Sequence, residues 1–343
     1  MRRIATAAAL AALVLPVAAC GAGTSAAGAS GKTVTVYSVD GLGDWYTKRF
    51  AEFQKQTGIK VQYVESGSGE VLTRAQKEKA RPQADVLVTL PPFIQKAEKE
   101  GLLEPYTPAG ADKVTDKDAG GSYTALAGNY LSFIYNPEHA KPAPVTFDDL
   151  LAPRFKKKLQ YSTPGQAGDG TAVLIQLQHV LGKDKALDYL KRLEANNVGP
   201  SSSTGKLQPK VTKGELHVAN GDVQMNLTSI KNDGAGFQIF FPADASGKKS
   251  TFALPYFMGL AKNAPHSAPA KKLMDFLLTP EAQKTLAPET YGLPARSDVT
   301  ADDANSRQIA DLMKGVQIWT PDWDKVVADL DGDVAAYTKA IGG

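Results

Sequence analysis

Strand-then-helix alternation over residues 33–101 constrains this chain more than any other feature. Residues 33–37 (TVTVY) are β-branched and aromatic, which predicts a strand. Residues 44–57 read as a helix with Trp45, Phe50 and Phe53 on its apolar side, stopped by Gly58. A strand at 60–64 (KVQYV), a helix at 71–79, a buried strand at 85–89 (DVLVT) and a helix at 93–100, ended by Gly101, complete the run. Such alternation predicts an α/β fold with a mainly parallel sheet covered by helices. Ligands in such folds sit at the carboxyl ends of the strands. Those ends carry Ser38, Asp40, Ser66, Gly67, Ser68, Gly69 and Thr89.

The second half repeats this logic at residues 159–171 (LQYSTPGQAGDGT). A strand at 159–161 gives way to Ser162, Thr163, Gly165, Gly168, Asp169, Gly170 and Thr171, and an apolar helical pattern follows from Ala172 to Leu181. Glycines let the backbone approach a ligand, hydroxyls donate hydrogen bonds, and a helix N-terminus offers free N–H groups. Together they suit an anion without a metal. The plainer alternative is a capped strand-to-helix loop. The stretch 65–70 (ESGSGE) also opens a helix, so one small anion between two lobes would be gripped from both sides.

Residues 1–19 read as an export leader, with Arg2 and Arg3 before an apolar run too short to span a bilayer. The sequence VAAC at 17–20 resembles a bacterial lipoprotein cleavage site, which implies lipid on Cys20. Cys20 is the only cysteine, so an intrachain disulfide and a cysteine metal site are excluded. Residues 20–32 read as a flexible tether. The leader carries two of the three excess positive charges, and no long basic run points to nucleic acid. No second apolar segment is long enough to cross a membrane. The roughly 310 residues that remain suit two lobes.

Further along, 129–136 (NYLSFIYN) reads as a strand, and Pro142 and Pro144 after it mark a break taken as the first crossing between lobes. Helices are expected at 184–195 and from about residue 206, and strands at 198–203, 216–218, 223–227 and 237–241. Residues 251–260 (TFALPYFMGL) are the candidate return crossing, 269–278 is amphipathic, and the tail 304–341 reads as helical around Trp319 and Trp323.

Long blocks of the chain resemble the 2-aminoethylphosphonate-binding proteins of bacterial ABC uptake systems. They include VTVYSVDGL (34–42), VQYVESGSG (61–69), PQADVLVTLPPFIQ (82–95), NYLSFIYN (129–136), KLQYSTPGQAGDGTAV (158–173), ANNVGPSSSTGKL (195–207), VANGDVQMNL (218–227), GLPARSDV (292–299) and WTPDWD (319–324). The resemblance implies a type II periplasmic-binding-protein fold, with two α/β lobes, a hinge of crossing segments and a ligand cleft between them. By that analogy the first lobe is 33–128 plus 254–294 and the second 129–253 plus 295–343. It further implies capture of 2-aminoethylphosphonate by lobe closure and delivery to a membrane permease, with no cofactor and no covalent step. A monomer tethered by lipid to the outer face of the cytoplasmic membrane is the expected form.

The ligand's phosphonate needs donors that desolvate cheaply. Ser162, Thr163, Gly170 and Thr171 are assigned to it from the second lobe, then Ser203 and Thr204, with Ser66, Gly67 and Ser68 closing from the first. Its ammonium needs a carboxylate: Asp40 first, with Glu65, Asp169 and Asp222 as rivals. Ser38, Thr89, Asn226 and Tyr256 complete the candidate set, and Tyr37 could line the cleft. Trp45 is expected in the core, and Trp319 and Trp323 in packing of the tail. Three rivals stand against this reading: another small anion or phosphorylated amine, ferric ion, or an enzyme. The chain has no adjacent tyrosines, and His139, His179, His217 and His266 lack ligand spacing. It also has no G-x-S-x-G, H-E-x-x-H or P-loop.

Overall fold

The structure, a computed structural model, describes residues 33–342. The leader, Cys20 and the tether lie outside the described residues. The first half follows the expected alternation: β1 (Thr33–Val39), α1 (Gly43–Thr57), β2 (Lys60–Ser66), α2 (Ser68–Lys77), β3 (Val86–Thr89) and α3 (Phe93–Lys99). β1 pairs in parallel with β2 and with β3. Helix α1 buries Trp45, Tyr46, Phe50 and Phe53, each contributing roughly 1.5–3 kcal/mol. It ends where Gly58 turns left-handed and donates its N–H to the Gln54 carbonyl.

β4 (Leu103–Glu104) and β5 (Thr124–Gly128) remain with this sheet. β5 is unforeseen: its sequence TALAG has little strand propensity, and its place in the sheet interior supplies the packing. After Asn129 and Tyr130 the chain enters β6 (Leu131–Tyr135), which belongs to a second, four-stranded sheet. The passage between sheets therefore precedes β6, and Pro142 and Pro144 fall in a later loop.

The second body continues with β7 (Leu159–Gln160), α4 (Gly168–Leu181), α5 (Lys183–Leu193) and α6 (Gln208–Thr212). Residues 198–203 differ from the expected strand. A bridge between Leu159 and Asn197 is followed by Gly199 and Pro200, which break the pairing and release a loop. β8 (Val218–Asp222) then leads into α7 (Val223–Asn232). The strand expected at 223–227 is this helix, because Asp222 caps it by accepting from the Met225 N–H at 2.7 Å. β9 (Gln238–Phe240) completes the small sheet, ordered β7-β8-β6-β9.

β10 (Lys249–Phe252) is followed, after three residues, by β11 (Tyr256–Ala261), back in the large sheet. Helices α8 (Ser267–Leu277), α9 (Pro280–Gln283) and α10 (Leu286–Thr290) pack there before β12 (Leu293–Pro294). The large sheet runs β12-β5-β11-β3-β1-β2, with β4 beside β11, and is mixed rather than mainly parallel, because β11 returns from the small-sheet body antiparallel to β3, β4 and β5 and β12 pairs antiparallel with β5. The tail holds α11 (Ala304–Leu312), β13 (Val316–Trp319) and α12 (Trp323–Ala340). Trp319 thus lies on a strand paired with β10, since Gly315 and Pro321 interrupt the expected helix. One apolar core fills the large-sheet body and another the small-sheet body, and α12 packs on both α5 and α3. Among the described residues no helix is long and apolar enough to cross a membrane.

Candidate functional site

The two bodies meet at strand ends and helix starts. Beyond β1 the chain turns through Asp40 and Gly41, and Gly41 holds φ +122°. A Cβ on Gly41 would stand 2.1 Å from the Tyr256 hydroxyl, so no larger residue fits there. Asp40 Oδ2 accepts hydrogen bonds from Ser203 Oγ at 2.6 Å and from the Gly205 N–H at 3.0 Å. At the start of α2, Gly69 donates its N–H to the Gln166 carbonyl at 2.8 Å, and a Cβ on Gly69 would lie 2.1 Å from the Gly165 carbonyl oxygen. Backbone therefore touches backbone across the junction. Ser68, the first residue of α2, sets a buried hydroxyl without a hydrogen-bond partner beside Gly168, the first residue of α4.

Three carboxylates gather here. Asp169, at the second position of α4, is 3% exposed, and Asp222, at the end of β8, is fully buried. Asp169 Oδ1 and Asp222 Oδ2 make no hydrogen bond. The Thr204 hydroxyl and the Asn129 amide lie close enough to soften their charges without hydrogen-bond geometry. Burial holds Asp169 well above the usual carboxylate range, and the charge of Asp222 adds to it. Burial likewise pushes Asp222 up to about 7, against the Met225 N–H. Burial raises Asp40 too, opposed by Ser203 and Gly205 and reinforced by Glu65. Burial, then the charges of Asp222, Asp169 and Asp40, raise Tyr256, whose hydroxyl donates to Gln224 Oε1 at 2.9 Å. These groups form one electronegative enclosure, suited to a cationic ligand group.

Several assigned donors are engaged within the fold. Thr171 donates to the Ala167 carbonyl and accepts from the Gly165 N–H, both at 2.9 Å. Thr163 accepts from the Ser201 N–H at 2.9 Å, and Gly170 packs against the Ser162 carbonyl. Asn226 ties Ser132 to Gln208 inside the small-sheet body. Ser162 accepts from Thr204 Oγ1 and Asn220 Nδ2, both at 3.0 Å, which places it and Thr204 beside the enclosure. Ser38 is buried near the Tyr46 hydroxyl, and Thr89 reaches only the Ser68 carbonyl at 3.4 Å. Ser66 is half-buried at the rim, with Glu65 exposed next to it and bonded to Tyr63 at 2.7 Å.

Other expectations divide. Tyr37 hydrogen-bonds Glu78 beneath the Arg74 guanidinium, outside the carboxylate enclosure. Trp45 is core, its indole N–H bonded to Thr285 at 2.8 Å. Trp319 stacks on His179 at 3.8 Å, and Trp323 packs near Phe252. His139 and His217 stack at 5.3 Å, and His266 Nδ1 lies 3.1 Å from Asp85. Among the described residues no group of three or more His, Cys, Asp or Glu is placed to hold a metal ion. Tyr46, Gly205 and Gln224 stand here without having been expected from the sequence. Gln224 accepts from Tyr256 and donates to the carbonyls of Gly41 and Thr290, but its segment reads as a strand. Tyr46 has a buried hydroxyl without a partner, yet in sequence it is one more aromatic on an apolar helix face.

Residues 81–328 match the family of bacterial extracellular solute-binding proteins. A Salmonella typhimurium protein named "Putative 2-aminoethylphosphonate-binding periplasmic protein" is 50% identical over 311 residues, covering 89% of this chain and 91% of its own. A protein of the same name from Salmonella typhi is equally similar. Among solved structures, the periplasmic binding protein P5PA superposes with a TM-score of 0.80 at 25% identity, over 90% of this chain and 99% of its own. The periplasmic binding protein AfuA of Actinobacillus pleuropneumoniae, solved with fructose-6-phosphate, gives 0.79 at 21% over the same shares. The chain belongs to the bacterial extracellular solute-binding proteins and has the type II periplasmic-binding-protein fold.

Proposed function

We propose that this solute-binding protein captures 2-aminoethylphosphonate between its two bodies and delivers it to an ABC permease, without turning it over. The observation that carries the reading is Asp222 Oδ2, a fully buried carboxylate oxygen left without a partner where the bodies meet. An ammonium meeting such an oxygen makes a charged hydrogen bond of roughly 1.5–3 kcal/mol. The phosphonate is assigned to the facing starts of α2 and α4, where Ser68 lies against Gly168, and to the hydrogen-bonded pair Ser162 and Thr204. The 50% identity to relatives named for this ligand supports the same choice. On this reading the bodies swing about their connecting segments, close on the ligand and present the closed form to the permease. Lipid on Cys20 tethers the monomer to the outer face of the cytoplasmic membrane.

Isothermal titration of the soluble form beginning near Gly31, with 2-aminoethylphosphonate, phosphate and ferric ion in parallel, tests the ligand. Tight one-to-one binding of the aminophosphonate with weak phosphate binding is the expected result. Heat only with phosphate or iron, or turnover of the phosphonate, overturns it.

A further inference from the structure

We infer that Asp169 serves this site as an uncharged carboxylic acid, donating its proton in a hydrogen bond to the ligand's oxyanion while Asp40 and Asp222 meet the ammonium. This rests on the aminophosphonate reading above. Three carboxylates and an oxyanion would face a single ammonium, and the charges bearing most strongly on Asp169, Asp222 and Tyr256 are those of the other acids. One proton kept within the enclosure removes a negative charge and supplies a donor for the ligand's acidic end.

The surroundings say which acid keeps it. Asp40 receives the Ser203 hydroxyl and the Gly205 N–H. Asp222 receives the Met225 N–H, with the Gln224 N–H and the Asn129 amide close by. Asp169 has the Thr204 hydroxyl alone beside it, and its Oδ1 has no partner. Its ionised form is thus the least supported of the three, even at the start of α4. The groups facing it are Asp222 from β8, Asp40 from beyond β1, Tyr256 from β11 and Thr204, with Glu65 acting on Asp40 from β2. It follows Gly168, against which Ser68 lies, at the start of α4, the end assigned to the phosphonate, so an acid that donates there has an acceptor.

Asn copies the shape and the donor of a neutral Asp but cannot ionise. The full chain, Asp169→Asn and Asp222→Asn are titrated with 2-aminoethylphosphonate from about pH 5 to about pH 9, spanning the raised carboxylate range. Asp169→Asn is expected to lose the weakening that wild type shows at high pH, so that its affinity stays level across the range. Asp222→Asn is expected to lose about a hundredfold. Loss of binding in Asp169→Asn comparable to that in Asp222→Asn, with wild type still binding, overturns the inference. No binding by wild type overturns the ligand reading itself. The wild-type complex also answers independently of any variant's folding: at neutral pH its infrared spectrum should carry the carbonyl stretch of a buried protonated carboxylic acid, and absence of that band overturns the inference.

Discussion

The Asp40 carboxylate accepts the Ser203 hydroxyl at 2.6 Å, joining a turn beyond β1 of the large sheet to a loop of the small-sheet body 163 residues later. A hydrogen bond to an ionised group contributes roughly 1.5–3 kcal/mol, and this one spans the two bodies. Ser203→Ala should therefore weaken ligand binding about tenfold, the Gly205 N–H still serving Asp40. Calorimetry with unchanged affinity would show that the bond has no part in closure.

Asp222 gives a pH dependence with a definite sign. Its folded value is pushed up to about 7 from an unfolded value of about 3.9. Between these the folded state binds more protons than the unfolded state, so stability is full below the window and falls as pH rises through it. Scanning calorimetry of the ligand-free protein should show a falling Tm from about pH 4 to about pH 7, flattened in Asp222→Asn. A rising Tm over that window in wild type would contradict the buried, protonated state of this acid.

Gly69 allows a close backbone approach between the bodies. A methyl there would meet the Gly165 carbonyl oxygen at 2.1 Å. Gly69→Ala should fold, melt near the wild-type temperature, show a larger radius of gyration in X-ray scattering, and lose at least about tenfold in ligand affinity. Wild-type affinity with a wild-type radius would mean that the contact yields easily.

Helix α12 is pinned to α3 by ion pairs, Lys96 to Asp331 and Lys99 to Asp324, the latter at 3.2 Å. Both aspartates are largely exposed, so each pair should contribute about 0.2–1 kcal/mol and fade with salt. The double variant Lys96→Ala, Lys99→Ala should shift ligand affinity less than about tenfold at low ionic strength and not at all in molar salt. A large effect that survives molar salt would point to packing by the lysine stems.

The first half of the fold was legible because its apolar periods agree with its punctuation: Gly58 and Gly101 stop helices where the pattern stops. The second half was less so. Val223–Asn232 begins like a strand, and only the Asp222 cap makes it a helix, a capping signal that reads equally as a turn. β5 has no sequence signal of its own because its stability comes from neighbours distant in the chain. Of the site, the acids Asp40, Asp169 and Asp222 were each visible as candidates, but only the fold shows that all three share one enclosure. Thr163 and Thr171 carry the same hydroxyl as Ser162, and which of them faces the junction depends on loop geometry that residue type does not encode.

Strand β11 lies between β5 and β3 in the large sheet, yet it is the eleventh strand to be made. A chain emerging from its N-terminus thus has β3 with an open edge and β5 without a strand partner until residues 256–261 arrive. Open edges recruit other strands. The most vulnerable interval therefore comes late, and a premature stop before residue 256 would leave only β3-β1-β2 as a sheet, with β4 and β5 deprived of their strand partners.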